Sequence, residues 1–153
     1  PQWEDRDRFI LSKGHNGILL YTIFCDLGMY DWDLLLDTYN TVGHPFGPHP
    51  NRKYVKGIEV STGSLGHGLS VAAGMAHALK KDNKDARCYV ILGDGECNEG
   101  SVWEAALFAT HFNSNAVIIT CGIIIPISTT NVPRTVVVFH YLPNLVFINK
   151  VMC

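Results

Sequence analysis

No run of apolar residues in this 153-residue chain is long enough to span a bilayer. The longest, Ala116 to Ile127, is interrupted by Pro126 and falls well short of the ~20 residues a membrane helix needs. There is no C-x-x-C pair. The five cysteines (Cys25, Cys88, Cys97, Cys121, Cys153) are scattered and odd in number, which argues against a disulfide framework or a zinc site and points to a reducing cytoplasm. Basic charge is not in surplus either: 12 Lys and Arg stand against 14 Asp and Glu. General affinity for nucleic acid or an anionic membrane surface is therefore not expected. A dinucleotide-binding G-x-G-x-x-G turn is missing, because G-S-L-G-H-G at 63–68 has the wrong spacing. Neither an initiator Met nor a signal-peptide pattern stands at Pro1, so the chain is expected to be a piece of something longer. What is present is a globular composition, 47% hydrophobic and 17% charged, which excludes a disordered tail and leaves room for one real core.

Charge divides the sequence. Residues 1–120 hold all 14 acidic residues, whereas residues 121–153 hold only Arg134 and Lys150 as charged groups and are rich in Val, Ile and Thr. The expected organisation is one domain over 1–120 followed by an atypical tail over 121–153. Three origins of that tail fit its composition: a frameshifted or spliced end, a divergent end in which R-T-V-V-V-F-H at 134–140 adds a strand, or a buried sheet element. An unpaired R-T-V-V-V-F segment would invite β-aggregation, so it must be covered or paired.

Periodicity in the first part alternates helix and strand. Residues 16–27 carry apolar side chains at helical spacing, with Gly28 as a stop. Asp31 to Tyr39 reads as a short helix capped by Asp31, with Leu34 to Leu36 inward. Residues 40–57, with Pro45, Pro48 and Pro50 among glycines and histidines, read as a loop. Residues 65–81 read as a helix burying Leu69, Ala72, Ala73, Ala76 and Leu79, where Gly68, Ala72 and Gly74 allow close packing. Residues 87–92 read as a buried strand, 93–95 as a turn, 101–111 as a helix and 116–120 as a second buried strand. That is a βαβ unit, and the expected fold is α/β: a mostly parallel sheet flanked by helices on both faces.

The segment Gly93-Asp94-Gly95-Glu96-Cys97-Asn98-Glu99-Gly100 directly follows the first of those strands. An acid between glycines at the carboxyl end of a parallel strand sits where open α/β sheets bind ligands. Glycines let the backbone approach a phosphate, and Asp94 is a hard oxygen ligand for Mg²⁺ or Ca²⁺. Alone, G-D-G is equally a plain strand-to-helix turn with Asp94 as a cap.

It has company in D-R-D-R-F-I-L-S-K-G-H (5–15), G-P-H-P (47–50), G-I-E-V-S-T-G-S-L-G-H-G-L-S-V-A-A-G-M-A (57–76) and I-L-G-D-G-E-C-N-E-G-S-V-W-E-A-A (91–106). With these segments in this order, the chain resembles the N-terminal, diphosphate-binding domain of the transketolases over about residues 1–115. The resemblance implies a truncated thiamine-diphosphate-binding fold in a cytoplasmic transferase of the pentose phosphate pathway. It implies two catalytic histidines, His15 and His49, facing substrate hydroxyls and the diphosphate. Gly63, Ser64, Leu65 and His67 are implied to contact thiamine diphosphate, with Asp94, Gly95 and Glu96 around its diphosphate. Asp94 is implied to ligate Mg²⁺ (or Ca²⁺), and Glu99 and Glu104 to lie at a subunit interface between two cofactor sites. Imidazole suits proton transfer at a hydroxyl near neutral pH. His44, His77, His111 and His140 match nothing catalytic.

Two departures stand beside the match. The family's second metal-ligand Asn is expected near positions 119–124, where the sequence Ile119-Thr120-Cys121-Gly122-Ile123-Ile124 has neither Asn nor Asp. The pyrimidine-binding domain, with its catalytic Glu, is absent from these residues. The expected function is two-carbon ketol transfer between sugar phosphates, this chain giving the diphosphate and metal half of the site. The partner is then a second copy or another chain carrying the pyrimidine-binding domain, and the isolated chain is expected to be inactive. The alternative is a non-catalytic truncated relative that keeps fold and interface but binds cofactor weakly.

Overall fold

The computed structural model describes residues 3–112, 114, 116–120 and 136–138, and gives side chains up to Phe112 and for Ser114. Four short strands pair in the order of the chain, and every pairing is parallel: β1 (Arg8–Leu11), β2 (Cys88–Leu92), β3 (Ala116–Thr120) and β4 (Val136–Val138). β2 and β3 lie where the apolar runs predict strands. β4 falls within 134–140 and pairs Val136 with Val117.

Successive strand side chains point to opposite faces. The β1–β2 register sets Ile10 opposite Val90 and Leu11 opposite Ile91, so each pair commits to one face. Ile10, Cys88, Val90 and Leu92 join one core and Leu11, flanked by half-buried Ile91, the other. Helices cover both faces, as expected for this α/β class.

On the first face lie α3 (His67–Lys81) and α4 (Gly100–His111). They meet through Ala72, Ala73 and Ala76 of one and Ala105, Ala106 and Ala109 of the other, small side chains that let the two helices pack closely, with α3 lying on β2. Full burial of Leu69, Val90 and Leu92 contributes about 1.5–3 kcal/mol each. The expected buried stripe of α3 is present, with Leu79 half-buried against it. Of the two glycines expected to permit close packing, Gly68 abuts Ser12, whereas Gly74 has no atom within 4 Å of where a Cβ would stand.

The second face is covered by α1 (Gly17–Asp26) and α2 (Trp32–Thr38) with Phe46, Val55 and Ile58. α1 ends as expected at Gly28, whose φ of +70° suits glycine and whose N–H donates to Cys25 O. α2 starts where Asp31 accepts a 2.8 Å hydrogen bond from the Asp33 N–H. Its leucines correct one expectation: Leu35 is 1% exposed, but Leu34 and Leu36 are 44% and 72% exposed. Consecutive helix residues are about 100° apart, so three in a row cannot face one core. Among the described residues no helix is long and apolar enough to cross a membrane.

Candidate functional site

The carboxyl ends of β1 and β2 lie side by side, and the chain leaving β1 stays there. Ser12 and Lys13 both donate their N–H groups to Ile91 O, at 2.9 and 3.2 Å. A one-turn 3-10 helix over Gly14–Asn16 then brings an exposed His15 to the sheet edge. Gly14 has no room for a side chain: a Cβ would stand 2.6 Å from Gly63 N and 2.8 Å from Gly63 Cα. That contact is fixed from both sides. The Thr62 hydroxyl donates to Leu11 O at 2.7 Å, and the Thr62 N–H donates to Pro50 O at 3.2 Å. Gly63 has φ +153°, and a Cβ on it would press on the His49 ring at 3.3 Å. The S-K-G-H, G-P-H-P and S-T-G-S segments therefore meet at one place.

His49 is exposed, but its backbone is anchored. Tyr21, fully buried, donates its hydroxyl to His49 O at 3.0 Å. Burial first, and Tyr39 second, push the Tyr21 phenol up to about 12, which keeps the hydroxyl protonated as a donor at neutral pH. A cavity of about 350 Å³ opens beside these segments, lined by Thr62, Gly63, Ser64, His67, Gly68 and Val71 among others. Leu65, 42% exposed, belongs to the same turn.

The G-D-G-E segment enters from β2. Asp94 and Gly95 are exposed, and residues Gly95–Asn98 form a second 3-10 turn before α4. Glu96 is turned inward and is only 2% exposed. Its Oε1 accepts from the Ser12 hydroxyl (2.5 Å) and the Gly66 N–H (2.8 Å), and its Oε2 accepts from the Gly93 N–H (2.9 Å). Gly66, at φ +79°, opens α3; a Cβ there would collide with Ser101 Oγ and stand 3.0 Å from Glu99 Cβ. Glu99 and Glu104 are exposed at the start of α4. Sequence reasoning missed Ser12, Gly14, Gly66 and Tyr21, although Ser12 and Gly14 lie inside the S-K-G-H segment it singled out.

The chain matches the model of the family described as "Transketolase, thiamine diphosphate binding domain" over residues 1–121. The chain belongs to the transketolase family. It is 46% identical over 109 residues to the 6-deoxy-6-sulfo-D-fructose transketolase subunit of Clostridium sp. (strain MSTE9), covering 71% of this chain and 39% of that protein. With an apulose-4-phosphate transketolase subunit of Phocaeicola vulgatus it shares 45% identity over 112 residues, 73% of this chain and 39% of the relative. Among solved structures, a transketolase from Campylobacter jejuni superposes with a TM-score of 0.65 at 33% identity, over 76% of this chain and 20% of that one. This transketolase-family chain thus spans about two fifths of its subunit relatives and a fifth of the longer enzyme. Its small parallel sheet with helices is the α/β fold of the thiamine diphosphate-binding domain.

The residues present fit the organic cofactor better than its metal. The open space lies in the cavity of about 350 Å³ lined by Gly63, Ser64 and His67, beside glycines whose own Cβ positions are taken by His49, Ser101 and Glu99. Among the described residues, no group of three His, Cys, Asp or Glu side chains is placed to hold a metal. Thr120, the last described residue of β3, pairs with Leu92, and the expected ligand positions from 121 onward lie outside the described residues.

Proposed function

We propose that this chain supplies the diphosphate half of a transketolase site that moves a two-carbon ketol unit between sugar phosphates, completed by a pyrimidine-binding domain from the rest of the protein or another chain. The observation that carries this reading is the meeting of His15, His49 and Gly63 at the carboxyl end of the sheet, in a domain of the thiamine diphosphate-binding family. When bound, thiamine diphosphate supplies the carbanion-stabilising chemistry of ketol transfer. His15 and His49, exposed at the open edge, take or return a proton at a substrate hydroxyl through a ring nitrogen. Gly63, Ser64, Leu65 and His67 would face the cofactor, with Asp94 and Gly95 beside its diphosphate and Asp94 the carboxylate that would serve Mg²⁺. Glu99 and Glu104, exposed at the start of α4, are the groups a partner subunit would meet. Cys25 and Cys88 are buried thiols, in keeping with a cytoplasmic enzyme.

One observation favours the second reading, a non-catalytic relative with weak cofactor affinity. Asp94 has no companion carboxylate or carboxamide at residues 119–124. Calorimetric titration of the purified chain with thiamine diphosphate, with and without Mg²⁺, separates the two. Mg²⁺-dependent binding that weakens at least tenfold in Asp94→Ala supports the working half-site. Absence of binding at millimolar cofactor sinks it and leaves the non-catalytic reading.

A further inference from the structure

Glu96 is the single buried carboxylate among the described residues. No ion pair involves it there; its charge is met by hydrogen bonds alone. A buried carboxylate is costly unless its oxygens are satisfied, and here three donors from three separate segments satisfy it. Ser12 closes β1 one turn before His15. Gly66 closes the Gly63–Leu65 turn and opens α3. Gly93 closes β2 immediately before Asp94. Gly66 and Gly93 are thus immediate chain neighbours of groups assigned above to the cofactor, and Ser12 stands three residues before His15, while Glu96 itself is buried away from the open edge.

We infer that Glu96 is a positioning residue: one carboxylate locks the three cofactor-facing segments together and sets thiamine diphosphate affinity without touching the cofactor. The inference rests on the cofactor reading above. It also follows that no neutral isostere replaces Glu96. A glutamine oxygen at the Oε1 position leaves its NH₂ group against the Gly93 N–H, and the flipped amide sets NH₂ against the Gly66 N–H. Ser12 can rotate its hydroxyl to accept, but a backbone amide cannot, so either orientation holds two donors face to face. Aspartate is one methylene too short to span both sides.

The experiment combines cofactor titration with amide exchange in the ¹⁵N-labelled chain. For Glu96→Gln the expected result is at least a tenfold loss of thiamine diphosphate affinity in the presence of Mg²⁺. The Gly66 and Gly93 amides should exchange at least tenfold faster, while mid-α3 amides such as Ala73 keep their rates. Ser12→Ala, which leaves both backbone bonds in place, should lose affinity two- to fivefold, and it decides the matter should Glu96→Gln not fold. A merely structural Glu96 would speed exchange throughout the domain and leave the affinity of the folded protein unchanged; that result overturns the inference. So does unchanged affinity in either variant when the unsubstituted chain binds. If the unsubstituted chain itself fails to bind, the cofactor reading falls and the inference falls with it, an outcome distinct from the preceding one.

Discussion

Gly68 and Gly74 sit in the same helix, yet their surroundings demand opposite responses to alanine. Replacing a helical glycine by alanine is intrinsically worth about 0.5–1 kcal/mol. At Gly74 a Cβ meets nothing within 4 Å, so the whole gain should appear. At Gly68 the new Cβ would collide with Ser12 Oγ and stand 2.5 Å from Ser12 Cβ and 2.9 Å from its Cα. Since ordinary carbon contacts lie near 3.5–4.0 Å, α3 and the end of β1 must part by about 1 Å. Overpacking of that kind costs about 1–3 kcal/mol. Moving Ser12 also breaks its bond to buried Glu96, at about 1–3 kcal/mol for the group left unsatisfied. The intrinsic gain covers only part of this, and the net loss is about 1–5.5 kcal/mol. At about 3 °C per kcal/mol for a chain of this size, Gly74→Ala should melt about 2–3 °C higher and Gly68→Ala about 3–16 °C lower. Thermal unfolding followed by far-UV circular dichroism measures both. Equal shifts of the same sign in the two variants would refute the claimed contact between α3 and Ser12.

Stability should also fall on the alkaline side. Burial, partly offset by Arg8, raises the Cys88 thiol from 9.0 to about 12, and burial raises Tyr21 from 10.0 to about 12. Both native values are raised, so their stabilisation is complete below pH 9 and is lost between pH 9 and 12, as the unfolded chain ionises first. The urea midpoint should therefore drop across that window, and the part of the drop that begins near pH 9 should shrink in Cys88→Ala to what the Cys25 thiol, also raised by burial, leaves behind; a midpoint flat from pH 8.5 to 11 would contradict this. Separately, the purified chain alone should show no ketol transfer, and adding a pyrimidine-binding partner domain should raise cofactor affinity at least tenfold. Turnover by the isolated chain would refute the division of the site between two surfaces.

Long or uniform patterns made much of the fold legible. α1, α3, β2 and β3 announce themselves by apolar spacing and by the glycines around them. β1 does not, because it is four residues long, follows a charged stretch and leaves Phe9 36% exposed. Its neighbours reveal it only through Ile10↔Val90 and Leu11↔Ile91, pairings that join residues about eighty positions apart and that no local period encodes. The glycines show the same limit. Gly68 and Gly74 look alike in a helical sequence, yet only one touches another element. The candidate site residues were read from motifs, and a motif does not give direction: G-D-G-E reads as four loop residues, while the chain exposes Asp94 and buries Glu96.

That split between exposed and buried groups says how the site is built. Contacts between Gly14 and Gly63, Gly66 and Ser101, and Glu96 and its three donors are all made within this chain, and they leave no space for a ligand. The groups with chemistry to offer, His15, His49 and Asp94, stand outside those contacts in water. A charge or a proton donor there acts through a high dielectric, at about one kcal/mol for two unit charges 4 Å apart, and strengthens severalfold only when water is excluded. This chain therefore provides rigid placement but not desolvation. The half-exposed Leu65 and Val71 flanking the cavity are surfaces that a covering domain could bury as it closes over the histidines. On the function proposed above, placement within one chain and dryness from a second surface would make the two halves interdependent: neither precise geometry without cover nor cover without the Glu96-held segments would suffice for proton transfer at a sugar hydroxyl.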